Sequence, residues 1–145
     1  MAEVSRRATE VVLTRISSSE FRATNERGGH ITMGTGDSPE FTPVELLLAA
    51  IAGCGSIDVD MVTARRATPE AFKVTATGDR VKDGDGNRVD DIRISFNVTF
   101  PEGEDGDRAR RILDSAIGQA HDRLCTVSRT VELGTPVVME RGASA

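Results

Sequence analysis

Between Glu10 and Ile16 the chain reads EVVLTRI, and SEFRATN and GHITMGT follow after short polar or glycine-containing breaks. β-Branched residues at this density, punctuated by turn formers, predict three short antiparallel strands within about residues 8–35. The break NERGG, residues 25–29, carries the paired glycines that supply the positive φ of a hairpin turn. After a loop, GTGDSPEF at 34–41, the pattern changes period. Thr42, Pro43 and Glu45 spell a helix start: threonine caps, proline loses nothing at the first helical position, and a glutamate three residues after the cap completes a capping box. From Leu46 to Ala52 the helix is apolar on every side, which predicts a central helix enclosed by other elements. It is expected to run from about 42 to 66, where Ala-Thr-Pro ends it, because the residue before proline avoids the α region.

Alternation with a period of two then returns in AFKVTATGDRV, residues 71–81, and in DIRISFNVTF, residues 91–100, which sets Ile92, Ile94, Phe96, Val98 and Phe100 on one face. The connection KDGDGNRVD reads as a polar turn. Its acids invite a calcium reading, but an EF-hand needs a flanking helix pair and a glutamate at the twelfth position, and neither is present. A second helix is expected over about 107–123, with Ile112, Leu113, Ala116, Ile117, Ala120 and Leu124 opposed to Arg108, Arg110, Arg111 and Asp122. The segment TVELGTPVVME predicts a closing hairpin around Gly-Thr-Pro, and the tail RGASA is expected to fray. The whole gives an α+β chain.

A length of 145 residues suits one domain spanning the chain. The net charge of -5, with acids and bases interleaved, offers no basic patch for a phosphate backbone, so nucleic acid is not an expected partner. Five aromatics, all phenylalanine, make a stacking platform for bases or sugars improbable on composition. The apolar runs read as too short to span a membrane, and charges near the N-terminus interrupt any leader-like segment, so a cytoplasmic chain with no membrane partner is expected. Two histidines, His30 and His121, and two cysteines without a CxxC give too few soft ligands for a zinc cluster, and no metal or organic cofactor is expected. In a reducing compartment the two cysteines read more readily as free or redox-active than as a permanent bridge.

Cys54 sits between Gly53 and Gly55 in the interior of the central helix. Glycine there costs up to ~1 kcal/mol relative to alanine, which either opens a gap beside the sulfur or lets the helix pack tightly on a sheet. Cys125 lies beside Leu124 and Val127, at home as a small core hydrophobe, and 71 positions (125 − 54) separate it from Cys54. Only tertiary folding could bring the pair within the ~4.4–6.8 Å Cα separation of a disulfide. His121, at i−4 from Cys125, could assist a thiolate or simply be solvated.

The stretch TPVELLLAAIAGCGSIDVDMV resembles the signature of the OsmC/Ohr family, the osmotically induced and organic hydroperoxide resistance proteins, and DRLCTVSRTVELGTPV resembles that family's second cysteine segment. The resemblance implies an α+β fold with antiparallel sheets around a long buried central helix, two intertwined subunits forming a homodimer, and a thiol peroxidase. In that reading Cys54 attacks an organic hydroperoxide and becomes a sulfenic acid, Cys125 resolves it as a disulfide, and an external thiol reductant restores both. The family's activating arginine and the glutamate that holds it imply Arg22 and Glu45 as further catalytic residues. Val44 occupies the place of the family's glutamate, with Glu45 one residue and ~100° further around the helix, and Ser19 aligns with the arginine. Beside a peroxidase stand two alternatives, a dimeric protein that binds a small ligand or senses thiol state, and a structural domain with inert cysteines.

Overall fold

In the computed structural model residues 3–143 are described, so the last two residues of the RGASA tail lie outside the described residues. The chain divides into two compact units, one up to Leu47 and one from Leu48 onward. In the first, β1 (Val11–Ser17), β2 (Glu20–Asn25) and β3 (His30–Met33) form an antiparallel sheet in chain order. These are the three strands expected from the sequence. The β2–β3 turn uses Gly28 at φ 89, and the Asn25 side chain accepts from the backbone N–H groups of Arg27 and Gly29, at 3.0 and 2.9 Å. Short polar side chains of this kind replace the backbone partners that a tight turn removes.

The helix α1 (Pro43–Thr63) opens on the capping box read from the sequence. The Thr42 N–H donates to Glu45 Oε1 at 2.8 Å, and the Glu45 N–H donates to Thr42 Oγ1 at 3.2 Å. Two otherwise orphaned donors are thereby satisfied reciprocally. Contrary to the expectation of complete enclosure, α1 buries a single row, Ile51, Gly55, Val59 and Thr63, and leaves Ile57 64% and Met61 60% exposed. An apolar circumference states what a helix is able to bury, and one chain covers only part of it. The helix ends at Thr63, a little short of the expected 66, yet contrary to the reading that the apolar runs are too short it is long and apolar enough to cross a membrane by length and composition alone, with a mean hydropathy of 1.6. Its buried row packs as a core helix does, since Val59 joins Ala116 and Ala120 in one cluster with Phe72 and Phe96 against it.

In the second unit, β4 (Ala71–Asp83) and β5 (Gly86–Thr99) form a long antiparallel hairpin. The polar segment expected as a turn is mostly strand, and only Gly84 and Asp85 make the reversal between the paired residues Asp83 and Gly86. Polar side chains suffice here because both faces of the hairpin tip are open to water and the ladder is backbone to backbone. A register shift near Asp91, at φ 49, adds one residue to β5, a β-bulge that brings Val89 and Ile92 to the same side of the hairpin. Gly78 makes room for both, since a Cβ there would meet Val89 Cγ1 at 2.8 Å.

The helix α2 (Glu104–Gln119) begins earlier than its apolar stripe suggests, with Glu104, Asp105 and Asp107 in the first turn, where the helix dipole favours acids. It continues into a π-helical turn, Ala120–Leu124, closed by the Cys125 N–H donating to Ala120 O at 2.8 Å. The expected closing hairpin is absent from the described residues. A third helix, α3 (Thr126–Leu133), replaces its first arm and stops at Gly134, whose φ of 64 is the left-handed conformation glycine tolerates, and the segment after it is not regular strand. β-Branched Thr130 and Val131 suggested extended chain, but Cys125 caps the segment and local capping overrides a weak propensity.

Candidate functional site

Cys54 stands mid-way along α1 and Cys125 directly after the π turn, and both thiols are free. The fold of the second unit closes a separation of 71 positions and brings the two side chains close enough to act on one another. Cys125 is 2% exposed. Its backbone is extended, φ -74 and ψ 99, so that the residue serves as the N-cap of α3 and its Sγ accepts the Ser128 N–H at 3.4 Å. Its carbonyl meanwhile receives the Arg129 N–H at 3.1 Å and the Ser128 hydroxyl at 3.4 Å.

The two thiols are electrostatically unequal. Burial pushes the Cys54 thiol up, a hydrogen bond from the Val127 backbone N–H works against this, and the neighbouring Cys125 sulfur and the Asp58 carboxylate add to the rise. At Cys125 burial acts in the same upward direction, but hydrogen bonds from the Ser128 hydroxyl and N–H, from the Cys54 thiol and from the Val127 N–H outweigh it, and the thiol falls below its ordinary value. Asp58, one helical turn beyond Cys54, has a buried Oδ2 with no hydrogen-bond partner among the described residues.

A cavity of about 350 Å³ adjoins the pair, in the lower part of the range typical of small-molecule sites. Its walls are apolar, from Ile51 on α1, Ile92, Ile94 and Phe96 on β5, and Ile117 on α2. Its lining also includes Cys125, Ser128, His121 and Glu132. Gly55 belongs to this wall and is buried, and a Cβ there would lie 3.4 Å from Phe96 Cζ, so this glycine permits close packing of helix on strand. Gly53 faces open space. The gap read from the GCG sequence therefore belongs to one glycine of the two.

His121 bridges two carboxylates, Nδ1 to Asp122 Oδ1 at 2.8 Å and Nε2 to Glu132 Oε1 at 2.9 Å, which ties the π turn to α3. These hydrogen bonds, Asp122 first and Glu132 second, raise its pKa above the ordinary 6.5. A raised folded value means that the stabilisation is fully present below the unfolded pKa and is lost as pH rises through the folded one. Wild type is therefore expected to exceed His121→Gln in stability most at acidic pH, with the difference shrinking above neutrality. Denaturant midpoints for both proteins across that range, at low and high salt, measure it; the exposed pair is also expected to weaken with salt. A difference independent of pH would refute the clamp.

Residues 34–140 match the family described as OsmC-like protein. The chain belongs to the OsmC-like family. This OsmC-like chain is 30% identical over 136 residues to the uncharacterized protein Rv2923c of Mycobacterium tuberculosis strain H37Rv, an alignment that covers 91% of the chain and 95% of the relative. Its fold is similar to an OsmC-like protein of unknown function from Vibrio cholerae, with a TM-score of 0.73 and 17% identity over 88% of this chain and 95% of that one. It is similar also to the organic hydroperoxide resistance protein OhrB of Bacillus subtilis, with a TM-score of 0.54 and 14% identity over 86% and 90% of the two chains. At these identities the structural likeness carries the fold, an α+β arrangement with antiparallel sheets and three helices.

Of the residues that the sequence singled out in this OsmC-like chain, Cys54 and Cys125 come together. Arg22 lies exposed on β2, paired in register with Thr14 and Thr32, and Glu45 closes the capping box of α1; both belong to the first unit. Sequence reasoning missed Ser128, Asp58 and Glu132. The signal for Ser128 was its position three residues after Cys125, the spacing of a cap to its N–H donor, hidden because no helix was expected to start there.

Proposed function

We propose that the chain is a thiol-dependent peroxidase that reduces organic hydroperoxides, with Cys54 and Cys125 as its redox pair. The observation that carries this reading is the mutual contact of two free thiols, distant in sequence, beside an apolar cavity of about 350 Å³. One thiol takes the terminal oxygen and becomes a sulfenic acid, the other condenses with it to a disulfide and releases water, and an external thiol reductant returns both to the reduced state. Isoleucine and phenylalanine walls favour an alkyl or aryl group on the peroxide. The structural neighbour from Bacillus subtilis is an organic hydroperoxide resistance protein, which supports the same substrate class.

The whole chain is read as one OsmC-like domain working as a cytoplasmic homodimer. The exposed Ile57 and Met61 on α1, with half-exposed Val11, Leu13 and Ile16 on β1, supply the apolar surface that a second copy would cover. Arg22 and Glu45 are carried over from the family's pattern as supporting site residues, Glu45 through its hold on the start of α1. A second reading, a small-ligand-binding or thiol-sensing protein without efficient turnover, is favoured by the raised Cys54 thiol, which is a poorer nucleophile when protonated.

Mixing the fully reduced protein with one equivalent of cumene hydroperoxide under anaerobic conditions separates the two. The peroxidase reading expects rapid consumption and an intact mass lower by two hydrogens, mapped to a Cys54–Cys125 bridge. Consumption no faster than that by free cysteine, with both thiols intact, would overturn it and leave the binding reading, which expects ligand-dependent stabilisation instead.

A further inference from the structure

We infer that the cavity beside Cys125 takes uncharged hydroperoxides and turns away those bearing a free carboxylate, with Glu132 as the residue that sets this preference. The inference rests on the peroxidase reading above and deepens it by fixing the charge of the substrate. Every lining residue contributed by α1, β5 and α2 is apolar, so the polar groups of the wall come from one stretch alone, the π turn and α3 with Cys125 between them. No lysine or arginine is among the described lining residues. A carboxylate set against the isoleucines and Phe96 would lose its water and find no partner, which is the costliest arrangement for an ion.

On the polar stretch the donors are already in use. The Ser128 N–H donates to Cys125 Sγ at 3.4 Å, and the Ser128 hydroxyl donates to the Cys125 carbonyl, also at 3.4 Å. Both ring nitrogens of His121 are engaged, one with Asp122 at 2.8 Å and the other with Glu132 at 2.9 Å, so even the imidazolium has no N–H to spare for a ligand anion. Two carboxylates on one histidine leave this cluster negative whichever way the ring is protonated. The adjoining cavity, of about 370 Å³, shares His121 and Glu132 with the first and adds Asp122 and Arg129, one arginine set among two acids. Asp58, one helical turn beyond Cys54 and with a buried Oδ2 that has no hydrogen-bond partner among the described residues, puts a further acid near the thiols.

A neutral hydroperoxide meets none of these penalties. Its alkyl or aryl body is matched by the isoleucines and Phe96, and covering it removes apolar surface from water. Its O–H is a donor, and the Glu132 carboxylate and the Ser128 hydroxyl in the wall offer acceptor oxygens. Glu132 makes charge decisive because it is the one carboxylate among the described lining residues of this cavity. Its repulsion acts on any anion that enters, and because its side chain is 59% exposed, salt weakens that repulsion.

Cumene hydroperoxide and its para-carboxylate differ by one charge on the same skeleton. Anaerobic consumption of each by reduced wild type and by Glu132→Gln, read as the second-order rate of the first turnover at low salt, tests the assignment. Wild type is expected to react at least about tenfold faster with the neutral compound. Glu132→Gln, which keeps an acceptor for His121 Nε2, is expected to bring that ratio to about threefold or less by speeding the reaction of the carboxylate. A purely structural role for Glu132 would slow both reactions alike and leave the ratio in place; that result overturns the assignment, and so does a wild-type ratio near one. Added salt is expected to narrow the wild-type ratio more than that of the variant. Consumption of neither compound faster than by free cysteine sinks the peroxidase reading, and the charge preference is then read by binding alone. Cumyl alcohol is expected to raise the melting temperature of the reduced protein, and its para-carboxylate to leave it unchanged. Equal behaviour of the two alcohols, with or without stabilisation, would contradict the inference.

Discussion

Gly106→Ala is expected to destabilise the protein by about 3 kcal/mol, lowering the melting temperature by about 6–12 °C, while the same substitution at Gly118 in the same helix leaves it unchanged or more stable. Gly106 is buried in the first turn of α2, and a Cβ there would stand 1.7 Å from the Pro101 carbonyl oxygen, a backbone atom with no side-chain freedom to retreat. The incoming chain is fixed at this point by the Arg110 guanidinium, which donates to the Phe100 carbonyl at 3.0 Å and also to Asp107. Relief therefore requires moving the Pro101 segment away from Phe100 and Ala109, which form a core cluster with Ala67. At Gly118 an added methyl meets nothing within 4 Å, and alanine gains about 0.5–1 kcal/mol of helix propensity over glycine. Calorimetry of the two variants decides the matter. Equal melting temperatures would mean that the start of α2 can shift to admit the methyl.

Oxidation of Cys54 and Cys125 to a disulfide is expected to raise stability by about 4 kcal/mol and the melting temperature by about 10 °C. The bridge would close most of the second unit into a loop, restricting the unfolded chain, and the thiols already touch, so native geometry has little distance to travel. Melting with and without a reductant measures the effect, and Cys54→Ser must abolish it. An oxidised protein no more stable than the reduced one would show that α3 unravels to make the bond, since Cys125 is the cap on which its first turn depends. Proteolysis near Thr126 would then quicken on oxidation.

Much of this architecture was legible because local rules and tertiary packing agree in it. The strands β1 to β3 follow from β-branched runs bounded by turn residues, and Asn25 and Gly28 do in the structure what their types permit. The start of α1 is a reciprocal pair of short-range hydrogen bonds among four consecutive residues, which any fold would preserve. On β5 the alternation of Ile92, Ile94, Phe96 and Val98 is the alternation of half-buried and exposed positions. The failures came where capping or backbone pairing outweighs the intrinsic preference of the side chains. Thr130 and Val131 have strand-forming side chains and lie in a helix because Cys125 caps it and Gly134 stops it. The polar residues of the β4–β5 tip form strand because backbone pairing asks nothing of their side chains.

For the candidate site the division is sharper. By itself the sequence determined the family, through the LLLAA helix with its GC step and the later cysteine segment, and with the family the fold and the identity of two thiols worth pursuing. It determined also that one helix is apolar around its circumference, because periodicity is a local property. Only the tertiary structure decided that Cys54 and Cys125 touch, that the cavity wall contains Cys125, and that one thiol faces Ser128 donors while the other faces Asp58. The physical reason is range. Hydrogen-bond capping and side-chain period act over three or four residues and are written in the order of the chain, whereas the acidity of a thiol depends on donors, charges and burial within a few ångströms in space, and those arrive from segments that the sequence keeps dozens of residues apart.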